Sequence, residues 1–240
     1  MHCWIRRGRT MKKDDERLFD LISPIASSRN IEIETATFYA FKEFQASWRK
    51  NEDKMIIRFS DYLIDAPDEV ITDFSETVIG TIEKKRPSYG QTYLDWVRRD
   101  QFINEKRKIY LRRSRNLTGT SEGNERSLTD SLERLLDSNL LEPRCIDNSF
   151  FSWTKLPNYR KFGYCSPMMR VVGVSCILDD INVPEFVFDY VVYHESLHLL
   201  QGYRPGHRAH SKEFRECEKL FPKYDEAERY LKALANEKVK

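Results

Sequence analysis

The chain has 240 residues, with 40 Lys and Arg against 38 Asp and Glu, a formal net charge of +2 and 40% hydrophobic residues. That length suits one large domain or two small ones, and a nearly neutral total excludes any inference about acidic partners from charge alone. No apolar run approaches the roughly 18 residues a spanning helix needs, and the five cysteines (Cys3, Cys145, Cys165, Cys176, Cys217) include no CxxC pair, which speaks against a disulfide framework or a zinc ribbon.

Residues 1–10 are basic, lack the apolar core of a signal peptide and read as a frayed leader before a second possible start at Met11, so a cytoplasmic protein is expected. Leu18, Phe19, Leu21, Ile22 and Ile25 recur at helical spacing between Lys12 and Ser27, with three acids in the first turn. From Ile31 the pattern becomes strand-like and suggests a hairpin or meander: Phe38, Phe41, Phe44 and Trp48 stand before an Asn51-Glu52-Asp53 turn, and Met55 to Phe59 after it. Asp65-Ala66-Pro67-Asp68-Glu69 then opens a helix through Val70, Phe74, Val78 and Ile82. A further helix is predicted from Thr92 to about Ile109. The cations from Arg98 to Arg115 make a basic stretch whose functional reading is a nucleic-acid contact and whose simpler reading is a solvated helix end.

Residues 118–126 are small and polar and are expected to be a linker, separating an N-terminal α/β region (1–117) from a second domain (127–240). Leu128, Leu132, Leu135 and Leu136 predict an amphipathic helix ended by Pro143. Phe150 to Trp153 and Val171 to Leu178 read as strands, separated by a loop holding Pro157, Gly163 and Pro167. The later strand is expected to offer an edge to which an extended substrate could add. Ser211 is a good N-cap for a helix holding Phe214, and Asp225 starts a last one. One internal echo stands out. Phe59-Ser60, Leu63, Asp65 and Pro67 resemble Val174-Ser175, Leu178, Asp180 and Pro184, and taking Pro67 onto Pro184 places Thr77 and Thr81 where His194 and His198 stand.

The most specific feature is His194-Glu195-Ser196-Leu197-His198, inside a stretch from Phe186 to Leu200 that is apolar nearly all round and should be a buried helix. Residues four apart share a helix face, so both imidazoles can reach one ion at about 2.0–2.1 Å. Glu195 falls roughly 100° round the helix, placed to bind a water rather than the metal. Burying unsatisfied polar groups costs several kcal/mol, and a metal ion would satisfy all three.

Two histidines leave the site short of a third protein ligand, with a fourth position kept for water. Gln201 and Arg204 occupy the positions that a metzincin would give to Gly and a third His. His210 is the favoured ligand, because it precedes the cap Ser211, where the positive end of a helix dipole holds imidazole neutral. His207, Glu216 and Glu218 remain alternatives.

Ser175, Leu178-Asp179, Pro184, Val187, Tyr193-His194-Glu195, His198 and His210-Ser211 with Phe214-Arg215 resemble the SprT-like zinc metallopeptidases from about Leu132 to Leu234, and Trp153 and Gly163 sit where that family has a Trp and a Gly. The N-terminal half is similar to an extension found in prokaryotic relatives, and no C-terminal zinc ribbon follows. The resemblance implies an α+β, zincin-like domain: a small sheet packed on a buried HExxH helix. It implies zinc (Zn2+) on His194, His198 and His210, and a protein or peptide substrate. Glu195 is then the general base of peptide hydrolysis on a metal-activated water. A second oxyanion donor is sought among Tyr203, His207 and Tyr224. The competing expectation is a zinc-stabilised module that binds nucleic acid or protein with little or no peptidase activity, and a third is a latent protease covered by its N-terminal half. No membrane is expected as a partner.

Overall fold

The helical spacing of Leu18, Ile22 and Ile25 is realised in α1 (Lys13–Ser27), which buries all three in the computed structural model; the structure describes residues 12–237. The basic leader and the second start at Met11 lie outside the described residues. The chain divides into two compact units, Met1–Trp96 and Val97–Lys240.

In the first unit, β1 (Glu32–Tyr39), β2 (Ala46–Asn51) and β3 (Lys54–Ser60) form a sheet of order β1-β3-β2. The predicted hairpin is β2–β3, turning at Glu52, whose φ of 54° is accepted without glycine. β1 instead pairs with β3 in parallel, so the sheet is not a meander. A short 3-10 turn (Asp61–Leu63) leads to α2 (Asp68–Ile82), which has Pro67 as its N-cap and two acids in its first turn. Phe59 of β3 meets Phe74 of α2 edge to face at 5.0 Å. The helix expected from Thr92 to Ile109 is two helices, α3 (Gln91–Val97) and α4 (Asp100–Arg113): Arg99 is extended (φ −67°, ψ 139°), and Asp100 opens a new first turn.

The second unit contains residues 118–126, which are not a linker. Leu117 bridges Thr154, and Thr118 N–H donates to the Trp153 carbonyl at 2.9 Å. The Asp179 carboxylate accepts the backbone N–H groups of Asn124, Glu125 and Arg126 at 2.6–2.9 Å. Composition shows only that the segment is polar; a carboxylate more than 50 residues away satisfies its backbone. There follow α5 (Leu128–Asp137), capped by the Ser127 hydroxyl, α6 (Pro143–Ile146), β4 (Phe150–Trp153), β5 (Gly163–Ser166) and β6 (Val171–Val174). The strand order is β4-β6-β5. β6 is therefore central, with a partner on both sides, so it offers no edge to a substrate; β5, which the sequence places in a loop, is an outer strand. The predicted strand to Leu178 stops at Val174 and gives way to a 3-10 turn, Cys176–Leu178. α7 (Glu185–Gln201) starts after Pro184 and ends at Gly202, whose φ of 67° favours glycine. α8 (Lys212–Glu218) and α9 (Tyr224–Glu237) complete the chain.

α7 is apolar nearly all round because it is enclosed. β5 and β6 lie against it, α5, α6, α8 and α9 pack around it, and Phe188 stacks on Trp153 of β4 at 5.3 Å. The architecture is mixed α+β, with a small sheet on a buried HExxH helix. The buried Asp189 is satisfied by a two-pronged Arg134 (2.7 and 2.9 Å) and by the Ser131 hydroxyl at 2.6 Å, all from α5.

Each unit follows the same plan taken by itself. Two strands pair in parallel (β1/β3, β4/β6), the intervening strand joins antiparallel, and a buried Ser (Ser60, Ser175) occupies the N-cap position of a 3-10 turn before a helix whose N-cap is Pro67 or Pro184. Phe59 pairs with Phe38 and Ala46; its counterpart Val174 pairs with Trp153 and Gly163. Phe59 meets Phe74 of α2 and Val174 lies in the core built around α7, so the internal echo extends to the structure. The first unit has no ligands at the corresponding positions: the hydroxyls of Thr77 and Thr81 donate to the carbonyls of Ser88 and Thr77.

Candidate metal centre

Four residues on a helix advance little more than one turn, and α7 accordingly presents His194 and His198 on one face, their ring centroids 5.1 Å apart. The third member comes from the turn before α8. Ser211 caps that helix by accepting the Phe214 N–H at 3.3 Å, and this fixes His210 as the last residue outside it. The His210 ring stands 5.2 Å from His194 and 4.9 Å from His198. Buried Phe214 closes the floor, stacked on His198 at 4.5 Å. One ring nitrogen from each histidine falls within 4.8 Å of the others, and among the described residues this is the one such group of His, Cys, Asp or Glu.

The spacing suits a metal ion. Three nitrogens bound at about 2.0–2.1 Å in tetrahedral arrangement stand about 3.4 Å apart, and the Nε2 atoms of His194 and His210 are separated by 3.3 Å. Burial, followed by the charges of the neighbouring histidines, lowers the His198 pKa to about 4 and moves that of His210 down, so both favour the neutral, ligating form. Three imidazoles suit a transition-metal ion such as zinc, copper, iron or nickel rather than Mg or Ca.

Residues 156–234 match the family model described as YgjP-like, metallopeptidase domain. No curated protein and no solved structure matches the chain. The matched metallopeptidase span runs from just before β5 into α9 and holds all three histidines, Glu195 and Glu218; it accords with the SprT-like resemblance and implies a hydrolase with a metal cofactor. Residues 1–155 lie outside it.

Within the matched span, Glu195 is buried beside the cluster. Burial raises its pKa to about 7, against the opposing positive charges of His194 and Lys161. Its carboxylate lies against the backbone of β5. A Cβ on Gly163 would stand 2.6 Å from the Glu195 Oε1, so this position has room only for hydrogen. A cleft of about 440 Å³ opens over the histidines and Glu195, walled by Gly163, Tyr164 and Cys165 on one side and by Glu228 and Leu231 of α9 on another.

The alternative ligands lie elsewhere. His207 is exposed and outside the cluster, and Glu216 is exposed and pairs with Lys212. Glu218 is buried, yet it approaches the far nitrogen of His194: Nδ1 lies 2.6 Å from Glu218 Oε1. None of Tyr203, His207 and Tyr224 lines the cleft, whereas Lys161, Tyr164 and Tyr190 do. Sequence reasoning missed Lys161 and the wall formed by β5. The signal available for the latter was Gly163, a glycine between aromatic neighbours. In the basic stretch, Lys106 is buried, and Arg107 bonds the backbone and side-chain oxygens of Asn148; Lys108, Arg112 and Arg115 are exposed. No helix among the described residues is long and apolar enough to cross a membrane.

Proposed function

We propose that this chain is a zinc-dependent endopeptidase of zincin type, with His194, His198 and His210 as the metal ligands and Glu195 as the general base. The observation that carries this reading is the convergence of three imidazole nitrogens within 4.8 Å beside a buried carboxylate that is not one of them, in a span matching a metallopeptidase model. A purely structural zinc site uses four protein ligands, and three leave a position open for chemistry. When bound there, zinc supplies a Lewis acid that makes a water nucleophilic near neutral pH and polarises the scissile carbonyl.

The chain's own residues do the rest. Glu195, with its pKa raised to about 7 by burial, takes a proton from the attacking water and delivers it to the leaving amine. Gly163 lets that carboxylate sit directly against β5. An extended peptide laid along the outer edge of β5 runs past Glu195 and the histidines, and main-chain hydrogen bonds to the strand hold it in register. Lys161 lines the same cleft and places a positive charge near Glu195 there.

Replacing Glu195 by Gln tests the assignment. Hydrolysis of an unstructured protein should fall by about 10²–10⁴-fold, the usual worth of a general base, while bound zinc is retained. Full activity in Glu195→Gln would refute the mechanism.

A further inference from the structure

Beyond this cluster, the second nitrogen of His194 is also engaged. Its Nε2 faces His210, and its Nδ1 lies 2.6 Å from Glu218 Oε1. Both contacts come from one short segment, residues 210–218, which begins at His210 and continues through α8 to Glu218. The segment therefore grips the two edges of one imidazole. It is anchored by buried Phe214, stacked on His198, and by the Tyr193 hydroxyl, which donates to the Cys217 carbonyl at 2.7 Å. Glu218 is itself braced. The Tyr190 hydroxyl lies 2.9 Å from Glu218 Oε1 and 2.9 Å from Glu228 Oε1, and its single hydrogen serves one of these carboxylates at a time.

We infer that Glu218, held by Tyr190, is a positioning residue for the metal centre: it accepts the Nδ1 hydrogen of His194 and so fixes the tautomer and ring orientation that point the Nε2 lone pair at the ion. An imidazole free to place its hydrogen on Nε2 would lose that lone pair. A carboxylate behind a ligating histidine removes this choice and makes the remaining nitrogen a stronger donor, and such partners are typically worth 10–100-fold in metal affinity.

The inference rests on the proposed zinc site, and the test separates the two. Zinc affinity is measured by competition with a chromophoric chelator for wild type, Glu218→Ala, Glu218→Gln and Glu216→Ala, the last an exposed glutamate on the same helix. Imidazole nitrogen NMR of the metal-free proteins reports the tautomer of His194. Glu218→Ala should bind zinc 10–100-fold more weakly and move the His194 hydrogen toward Nε2. Glu218→Gln, whose amide oxygen can still accept the hydrogen, should recover part of the affinity, and Glu216→Ala should match wild type. Wild-type affinity in both Glu218 variants, or an unchanged tautomer in Glu218→Ala, would overturn the positioning role and leave the metal site standing. Failure of wild type itself to bind zinc would overturn the site and this inference with it.

Discussion

At the scale of single residues, the centre depends on what surrounds Glu195 as much as on the histidines. The missing Cβ of Gly163 sets the carboxylate's position, because any side chain there would meet Glu195 at 2.6–2.7 Å. Gly163→Ala should therefore leave zinc content unchanged while lowering kcat/KM by about 10²-fold, the scale expected when a catalytic group is displaced by about an ångström. Metal analysis beside steady-state kinetics checks this, and undiminished kcat/KM would show that the close approach is incidental. The convergence of His194, His198 and His210 was legible because it is carried by spacing: i and i+4 on one helix, and a residue directly before an N-cap. Glu218 was visible only as a rival ligand. Which nitrogen of an imidazole a carboxylate will meet is decided by the packing of α8 on α7 through Phe214 and Phe221, and periodicity does not encode that contact.

Among the elements, α7 was legible almost to the residue, since Pro184 and Gly202 punctuate it and its uniform apolarity announces enclosure. β5 was hidden. Its four residues, Gly163 to Ser166, contain no β-branched side chain and lie between Pro157 and Pro167, so local chemistry favours a loop, and only pairing with β6 makes them a strand. The same limit explains residues 118–126, whose order comes from Asp179. Removing that acceptor in Asp179→Ala leaves three backbone N–H groups of residues 124–126 without their partner. We expect a loss of about 2 kcal/mol and faster proteolytic nicking near Gly119 and Gly123. Limited proteolysis with a denaturation curve measures both; wild-type resistance and stability would mean the segment is held by its other contacts.

Across the whole molecule, two units share one strand order, and the cluster of His194, His198 and His210 lies in the second. The α+β class and the presence of two parts were legible in the chain. The boundary was not, because flexible-looking composition marks 118–126 whereas the division falls at Trp96 and Val97, inside a stretch that reads as continuous helix. Metal binding should stabilise the folded state as any native-state ligand does, by about 2.7 kcal/mol at a hundred times Kd. For a chain of this size that corresponds to roughly 5–11 °C in Tm. Thermal melts of zinc-loaded and chelator-treated protein should differ by that order, and identical melts would argue that no ion is held by the native fold.

Whether three histidines hold zinc is decided by elemental analysis of purified wild type beside His210→Ala and His207→Ala. Wild type should carry about one zinc per chain, lost with His210 and retained without His207, since His210 stands with His194 and His198 and His207 does not. Absence of zinc from wild type even after reconstitution, or its retention in His210→Ala, would contradict a three-histidine zinc centre.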